Sequence, residues 1–181
     1  MAQINDWPGR SAAERLRQWR HLLELAQAAA GPPFLGVVLL GSFARGEADD
    51  LSDVDFIVFT AEGDFEEAWE QRHRLHPADA ACWDYSRPPG DRDVAGHRWL
   101  TSDFVLFDGL IATPSGTRVA DPLHVLVGDD VLNRQLVKRE PITAEEQHRR
   151  KDEIRLHDVE QLYGQLKLAL RAHRNGTSTS P

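Results

Sequence analysis

The stretch GSFARGEADDLSDVDFIVF, residues 41–59, says most about what this chain can form. It begins with a Gly-Ser turn and ends with Asp53 and Asp55, which lead into an apolar run. Alternate residues of a strand point to one face, so the two carboxylates would lie together, about 6.6 Å apart along the chain. Two oxygen donors at this spacing can converge on a hard cation such as Mg²⁺.

The turn at Gly41 and Ser42 follows the apolar run 34–40, where a strand is expected to end. Glycine lets backbone N–H groups approach a phosphate closely, and a helix that begins at Ser42 would direct its positive end to the same place. An N-cap role for Ser42 is the simpler alternative, and it coincides with a role in holding phosphate. The turn and the two aspartates together predict nucleotide chemistry.

The segment resembles the signature of the nucleotidyltransferase superfamily, the fold shared by DNA polymerase beta and the antibiotic-modifying nucleotidyltransferases. The common bacterial form of that signature is GSxARGxxxxxSDxD, and the chain fills it with Gly41, Ser42, Arg45, Gly46, Ser52, Asp53 and Asp55. These constrained positions argue against a chance match, although the segment is only about a tenth of the chain. The alternative is a β-turn-β unit whose acidic residues form a solvated face.

The resemblance implies a transfer in which an acceptor hydroxyl displaces pyrophosphate from a nucleoside triphosphate. It implies that Asp53 and Asp55 bind Mg²⁺, with two ions about 3.5–4 Å apart, and that the Gly-Ser turn holds the triphosphate. Arg45 would contact the triphosphate or tie the loop to an acid such as Asp49 or Asp50, and the sequence does not choose between these roles.

The resemblance also implies a third carboxylate on a neighbouring strand, which completes the metal site and can act as base for the acceptor hydroxyl. Asp108 is favoured because it lies within the apolar strand predicted over 104–113, where a lone ionised carboxylate is costly unless paired or metal-bound. The dipeptide Asp108-Gly109 is also typical of a type I′ hairpin turn. Asp103 and Asp84 are the further candidates, and the sequence leaves the choice open.

Composition and charge restrict the class of protein. With 41% hydrophobic and 28% charged residues, the chain of 181 residues is typical of one soluble globular domain. It has no apolar run near the roughly 20 residues of a membrane span and no secretory leader, so a cytoplasmic location is expected. The net charge of −8 disfavours nucleic acid as the main ligand. The single cysteine, Cys82, excludes a Cys-based zinc site and is predicted to lie in the core.

The element pattern predicts an α/β (α+β) nucleotidyltransferase fold, in which helices flank a mixed, twisted sheet and a helical extension follows. Capping boxes at 11–14 and 143–146 predict the starts of the first and last helices. The remaining predicted elements are strands at 34–40, 53–60, 81–86, 104–113 and 124–127, helices at 64–76 and 131–137, and a loop at 87–96. We therefore predict a catalytic domain over 1–140, a helix packing on it over 141–174 and a disordered tail over 175–181.

The resemblance leaves the acceptor open. The favoured hypothesis is transfer of AMP from ATP to a hydroxyl of a small molecule such as an aminoglycoside-like antibiotic, which an acidic surface would attract. The alternative is a partner protein, as with the minimal antitoxin-type nucleotidyltransferases. A third hypothesis is a non-catalytic module that binds a nucleotide or a partner. The last helix could also form a homodimer contact.

Overall fold

A computed structural model describes residues 16–138 except 88, 120, 121 and 129, together with residue 149. The chain divides into two compact units, 1–140 and 141–181. The capping box predicted at 11–14, the tail at 175–181 and, apart from residue 149, the helix at 141–174 lie outside the described residues. The domain boundaries drawn from the sequence therefore stay predictions.

The regular structure of the described part consists of six strands and a few short helices. In chain order these are α1 (Gln18–Ala28), β1 (Phe34–Leu39), α2 (Gly41–Arg45), β2 (Val54–Thr60), α3 (Phe65–Glu70), a 3₁₀ turn (Arg72–Leu75), β3 (Ala80–Ser86), β4 (Val94–Thr101), β5 (Leu106–Ala112), β6 (His124–Val127) and α4 (Asp130–Gln135). No helix in this part of the chain has the length and apolar character needed to cross a membrane.

The six strands form one mixed sheet in the order β3-β4-β5-β2-β1-β6. Strands β2 and β5 run parallel, and the other neighbours pair antiparallel. The predicted mixed sheet flanked by helices is thereby confirmed, as is the pairing of the strands on either side of the motif. The parallel pair sits at the centre, so the start of β2 lies beside the start of β5.

One face of the sheet carries the larger core. Phe56, Trp99 and Phe107 are almost fully buried there, and the rings of Trp99 and Phe107 stack with centroids 4.7 Å apart. Leu22 and Leu25 of α1 belong to the same core. Burial of each large side chain contributes about 2–3 kcal/mol, so this face fixes the strand positions.

The opposite face is apolar only over part of its area. Val38, Ile57 and Phe59 pack there with Leu132 of α4. Asp55 lies two residues before Ile57 on β2, so its side chain points to this same face. Asp108 of β5 is paired with Asp55 and also points to this face. The apolar cluster thus gives way to carboxylates at the beginning of the two parallel strands.

Strand β4 was missed by the sequence reading, which predicted a loop over 87–96. Its buried residues alternate as Ala95, His97, Trp99 and Thr101, with intermediate or exposed residues between them. The pattern is hard to see in the sequence because a histidine and a threonine occupy buried positions. The helix predicted over 64–76 was also wrong in extent, since it divides into α3 and the 3₁₀ turn.

The alternative of a hairpin turn at Asp108 and the expectation of a buried Cys82 are both wrong, whereas the strand expected around Asp108 is present as β5. The Asp108-Gly109 dipeptide is not a hairpin turn but the middle of β5, and Gly109 is required there because a Cβ would lie 2.5 Å from the Phe56 ring. Cys82 is exposed on β3, whose residues 81–84 are all exposed at the edge of the sheet.

Candidate active site

Two of the three predicted carboxylates are direct neighbours in the sheet. Asp55 of β2 pairs in register with Asp108 of β5. Adjacent strands lie about 4.8 Å apart and laterally paired residues point to the same face, so the two side chains share one site. Asp53 lies in the exposed segment directly before β2. We call Asp53, Asp55 and Asp108 the motif group.

The charges of the motif group interact. Burial, which is the largest cause, and the negative charges of Asp53 and Asp108 together raise the pKa of Asp55 to about 6, while Arg45 opposes the shift. Like charges that lie this close disfavour ionisation unless a cation compensates them. The donor set consists of carboxylate oxygens, which Mg²⁺ prefers. The residues therefore fit the divalent ions that the motif implies.

Asp108 already has a cationic neighbour. Arg98 of β4 pairs in register with Asp108, and its Nε donates a hydrogen bond of 2.6 Å to Asp108 Oδ1. Both side chains are partly exposed, at 57% and 38%. Sequence reasoning missed Arg98, because its strand was predicted to begin as a loop. Because paired residues of neighbouring strands point to the same face, Arg98, Asp108 and Asp55 lie on one face of the sheet.

The turn before β2 is built around Asp55. Gly41 has a φ of +58°, and a Cβ at this position would collide with Asp55 Oδ2. The N–H of Leu40 donates to the backbone oxygen of Asp55 at 2.9 Å. Glycine is therefore needed both for its backbone conformation and for the close approach of the carboxylate.

The short helix α2 begins one residue earlier than expected. Its first residue is Gly41 and its N-cap is Leu40, so the alternative of Ser42 as N-cap is wrong. Ser42 instead lies within the first turn. The sequence had also left open that Arg45 ties the loop to Asp49 or Asp50, whereas its Nε donates to Glu47 Oε2 at 2.6 Å.

The loop that carries Asp53 is fixed by its own side chains. Asp49 Oδ1 accepts hydrogen bonds from the Leu51 N–H at 3.0 Å and the Ser52 hydroxyl at 2.9 Å. The bond from Ser52 is the main cause that lowers the pKa of Asp49. Gln18 of α1 donates to the backbone oxygens of Asp49 and Ser52, both at 2.9 Å. Ser52, the serine of the signature, thus stabilises the conformation of the loop, and Gln18 binds the loop to α1.

The other two candidates for the third carboxylate lie elsewhere. Asp84 on β3 pairs with Arg98 and stands two strands away from Asp108, or about 10 Å. Asp103 precedes β5 and accepts hydrogen bonds from Thr101 and His21. Of the three candidates, only Asp108 is paired with Asp55.

A second cluster of possible ligands was not foreseen. Within the described part of the chain, His21, Glu24 and Asp79 form the group of three side chains whose ligand atoms all lie within 4.8 Å of one another. The motif group does not form so tight a set, which agrees with the mutual repulsion of its carboxylates and the pull of Arg98 on Asp108.

Comparison with known proteins bears on the fold and the family. Residues 30–111 match the family model of the nucleotidyltransferase domain, a range that contains Gly41, Ser42, Asp53, Asp55 and Asp108. No curated protein matches the sequence significantly. This match agrees with the family that the motif predicts, and the matched range spans β1 through nearly all of β5.

Two solved structures are similar to the chain at low identity. One is Cid1 in complex with the UTP analogue UMPNPP, at 18% identity and a TM-score of 0.37, with 62% of this chain covered. The chain spans about a third of that protein, since 32% of the Cid1 chain is covered. The other is a Thermotoga maritima protein described as a nucleotidyltransferase, at 14% identity and a TM-score of 0.33, with 84% of this chain and 95% of that chain covered.

Proposed function

We propose that this chain, which belongs to the nucleotidyltransferase superfamily, transfers a nucleoside monophosphate from a nucleoside triphosphate to an acceptor hydroxyl. The observation that carries the proposal is the parallel pairing of β2 with β5, which places Asp55 beside Asp108. The pKa of Asp55, which burial and then the charges of Asp53 and Asp108 raise to about 6, supports it because strongly perturbed carboxylates are typical of functional sites.

In this proposal Asp53, Asp55 and Asp108 hold two Mg²⁺ ions. When bound, such ions neutralise charge on the attacking and leaving oxygens of an in-line displacement. Asp55 must be ionised to bind, so neutral pH favours its role. Asp108 is the candidate base for the acceptor hydroxyl, and the hydrogen bond from Arg98 would compete with a metal ion for its carboxylate.

The turn at Gly41 and Ser42 would hold the triphosphate. Its support is positional, since Gly41 lies against the carboxylate of Asp55 and leaves no side chain between them. Arg45 would face the same phosphates, because its charge already acts on Asp55 and its side chain is 46% exposed. The motif group and the turn would together bring metal and phosphate to one place.

We further propose ATP as donor and a hydroxyl of a cationic small molecule, of the aminoglycoside type, as acceptor. The net charge of −8 supports a cationic acceptor through long-range attraction. Transfer to a protein would contradict this choice of acceptor while leaving the transfer reaction itself intact.

The experiment is incubation with labelled ATP and Mg²⁺ in the presence of an aminosugar panel or of a cell extract. Competition by unlabelled GTP, CTP and UTP then ranks the donor bases. Label on an aminosugar supports the whole proposal, label on a protein supports the reaction with a different acceptor, and absence of transfer under every condition contradicts it.

The double variant Asp53→Asn, Asp55→Asn tests the role of the motif group. It should lose transfer to below detection and keep its fold by circular dichroism, because the shape of both side chains is preserved. Asp50→Asn is the matched control, since Asp50 is an exposed acid of the same loop outside the motif group. Unchanged turnover in the double variant would refute the mechanism.

A further inference from the structure

His21 of α1 is a buried histidine with one ring nitrogen engaged and the other not. Its side chain is 0% exposed, and Nε2 lies 3.0 Å from Asp103 Oδ1. Within the described part of the chain, Nδ1 has no hydrogen-bond partner although it is buried. A buried polar atom left in this way is costly unless something else binds it.

The proton of the imidazole can be placed from its neighbours. Asp103 Oδ1 already accepts a hydrogen bond from the Thr101 hydroxyl and lies 3.0 Å from His21 Nε2, and a carboxylate acts as an acceptor. Nε2 therefore carries the hydrogen and donates it to Asp103. In the neutral ring Nδ1 then presents a lone pair, which is the form in which histidine binds a metal.

The lone pair of Nδ1 points towards two carboxylates. Asp79 Oδ1 lies 3.7 Å from Nδ1. Glu24 follows His21 by three residues on α1, so both project from one side of the helix. All three ligand atoms lie within 4.8 Å of one another. Two ligands bound to one divalent ion at about 2.1 Å are separated by roughly 3.4 Å, so small side-chain movements would close the set.

Arg20 neutralises the outer side of this cluster. Its guanidinium lies 2.7 Å from Asp79 Oδ2 and 4.0 Å from Glu24 Oε1, and its side chain is 62% exposed. The oxygen of Asp79 that faces His21 is the other one, Oδ1. Arginine and a small ion can therefore use opposite sides of the same carboxylate.

We propose that His21, Glu24 and Asp79 form a binding site for a divalent transition-metal ion of the zinc type, separate from the motif group. One imidazole and two carboxylates suit zinc better than Mg²⁺, which prefers oxygen ligands alone. Asp103 is a positioning residue, because a metal-binding histidine usually donates its other N–H to a carboxylate. We call His21, Glu24, Asp79 and Asp103 the clasp group.

An ion in the clasp group would stiffen the support of the motif group. Helix α1 anchors the loop before Asp53 through Gln18, and Arg17 donates to the backbone oxygen of Asp103 at 3.1 Å. Asp103 in turn precedes β5, which carries Asp108. Zinc bound between α1 and Asp79 would thus fix the position of α1. Gln18 of this helix holds the loop before Asp53, and the preceding residue, Arg17, contacts the segment before β5.

The test measures zinc binding by calorimetry on full-length protein that has been treated with a chelator. The Asp53→Asn, Asp55→Asn variant serves as the starting protein, so that ions in the motif group cannot account for the signal. We expect one site per chain and a higher Tm with zinc than without. Cobalt(II), used as a second probe, should give visible absorption bands that zinc displaces.

Single changes then locate the site. Glu24→Gln and Asp79→Asn, each added to that starting protein, should weaken zinc binding at least tenfold and abolish the rise in Tm. Asp103→Asn should weaken it by about 10–100-fold through the histidine. Glu70→Gln is the control, because Glu70 is an exposed acid on α3 outside the cluster. Thermal unfolding without zinc shows that each variant is folded.

Two results would overturn the proposal. One is the absence of zinc binding in the starting protein. The other is binding that Glu24→Gln and Asp79→Asn leave unchanged, since the ion would then sit on other histidines of the chain. Neither result bears on nucleotide transfer, which depends on the motif group.

Discussion

The motif group and the clasp group are both rich in carboxylates, and the protein treats their charges in opposite ways. In the motif group, burial and neighbouring acids raise the pKa of Asp55 to about 6. In the clasp group, hydrogen bonds from Thr101 and His21 lower the pKa of Asp103. Hydrogen bonds thus favour the charged form of Asp103, whereas burial and neighbouring acids disfavour the charged form of Asp55. A bound cation would stabilise the charged form of Asp55 directly, whereas in the clasp group it would bind beside a carboxylate that is already hydrogen-bonded.

The largest effect is expected from Gly41→Ala, which would damage the motif group alone. The added Cβ collides with Asp55 Oδ2, and alanine at a φ of +58° costs about 1–2 kcal/mol. Displacing the carboxylate should reduce transfer by about 100-fold or more, because small misplacements at a reacting centre are costly. Steady-state kinetics and urea unfolding measure the two effects.

The control for this variant is Gly63→Ala, since a Cβ at Gly63 meets no atom within 4 Å. A second comparison uses Asp55→Ala as background, where the collision is removed but the backbone strain remains. If Gly41→Ala lowers the free energy of unfolding equally in the wild-type protein and in Asp55→Ala, the collision with Asp55 is not the reason that position 41 requires glycine.

The next effect in size concerns the clasp group. Asp103→Ala removes the acceptor of the His21 Nε2–H, and an unsatisfied buried donor costs about 1–3 kcal/mol. Unfolding in urea should show this loss. Asp103→Asn keeps an oxygen that can accept the same hydrogen bond, so it should lose less. Equal losses for the two substitutions would show that the hydrogen bond to His21 contributes little.

A smaller effect of opposite sign is expected for Asp55→Asn without metal. The ionised form of Asp55 is disfavoured in the fold, so the substitution should raise Tm at pH 7. After allowance for solvent screening of this half-buried group, about 1 kcal/mol is expected, or roughly 2–4 °C. Thermal unfolding in the presence of a chelator measures it. A lower Tm would show that the charge of Asp55 is already compensated.

The sign of the effect with pH follows from linkage. The pKa of Asp55 rises from 3.8 to about 6 on folding, so between these values the folded chain holds more protons than the unfolded one. Stability contributed by this group therefore falls as pH rises from about 4 to 6. The advantage of Asp55→Asn should be complete above pH 6 and vanish near pH 4.

The smallest effect is expected for Arg98→Gln. Its ion pair with Asp108 is 57% and 38% exposed, and exposed pairs contribute about 0–1 kcal/mol. Stability should therefore change little, while the Mg²⁺ concentration needed for half-maximal transfer should fall, because a competing cation is removed. Arg92→Gln, at an exposed position in the loop before β4, is the control. An unchanged Mg²⁺ requirement would show that Arg98 does not compete with metal.

The sequence by itself determined the resemblance to the family and the local arrangement of the motif residues. Gly41, Ser42, Asp53 and Asp55 lie within fifteen residues, and a strand-turn-strand pattern places them from local rules alone. Asp108 was reached because an acid inside an apolar strand is costly without a partner. The roles of these residues stay predictions that the variants above test.

Only the tertiary structure decided which distant groups meet. The parallel register that places Asp55 beside Asp108, the bond from Arg98 and the pairing of His21 with Asp103, 82 residues away, depend on how strands order themselves in a sheet. A sequence pattern reports the face on which a residue lies, because this depends on its neighbours along the chain. It does not report what lies opposite, because strand order and register are set by the packing of the whole core.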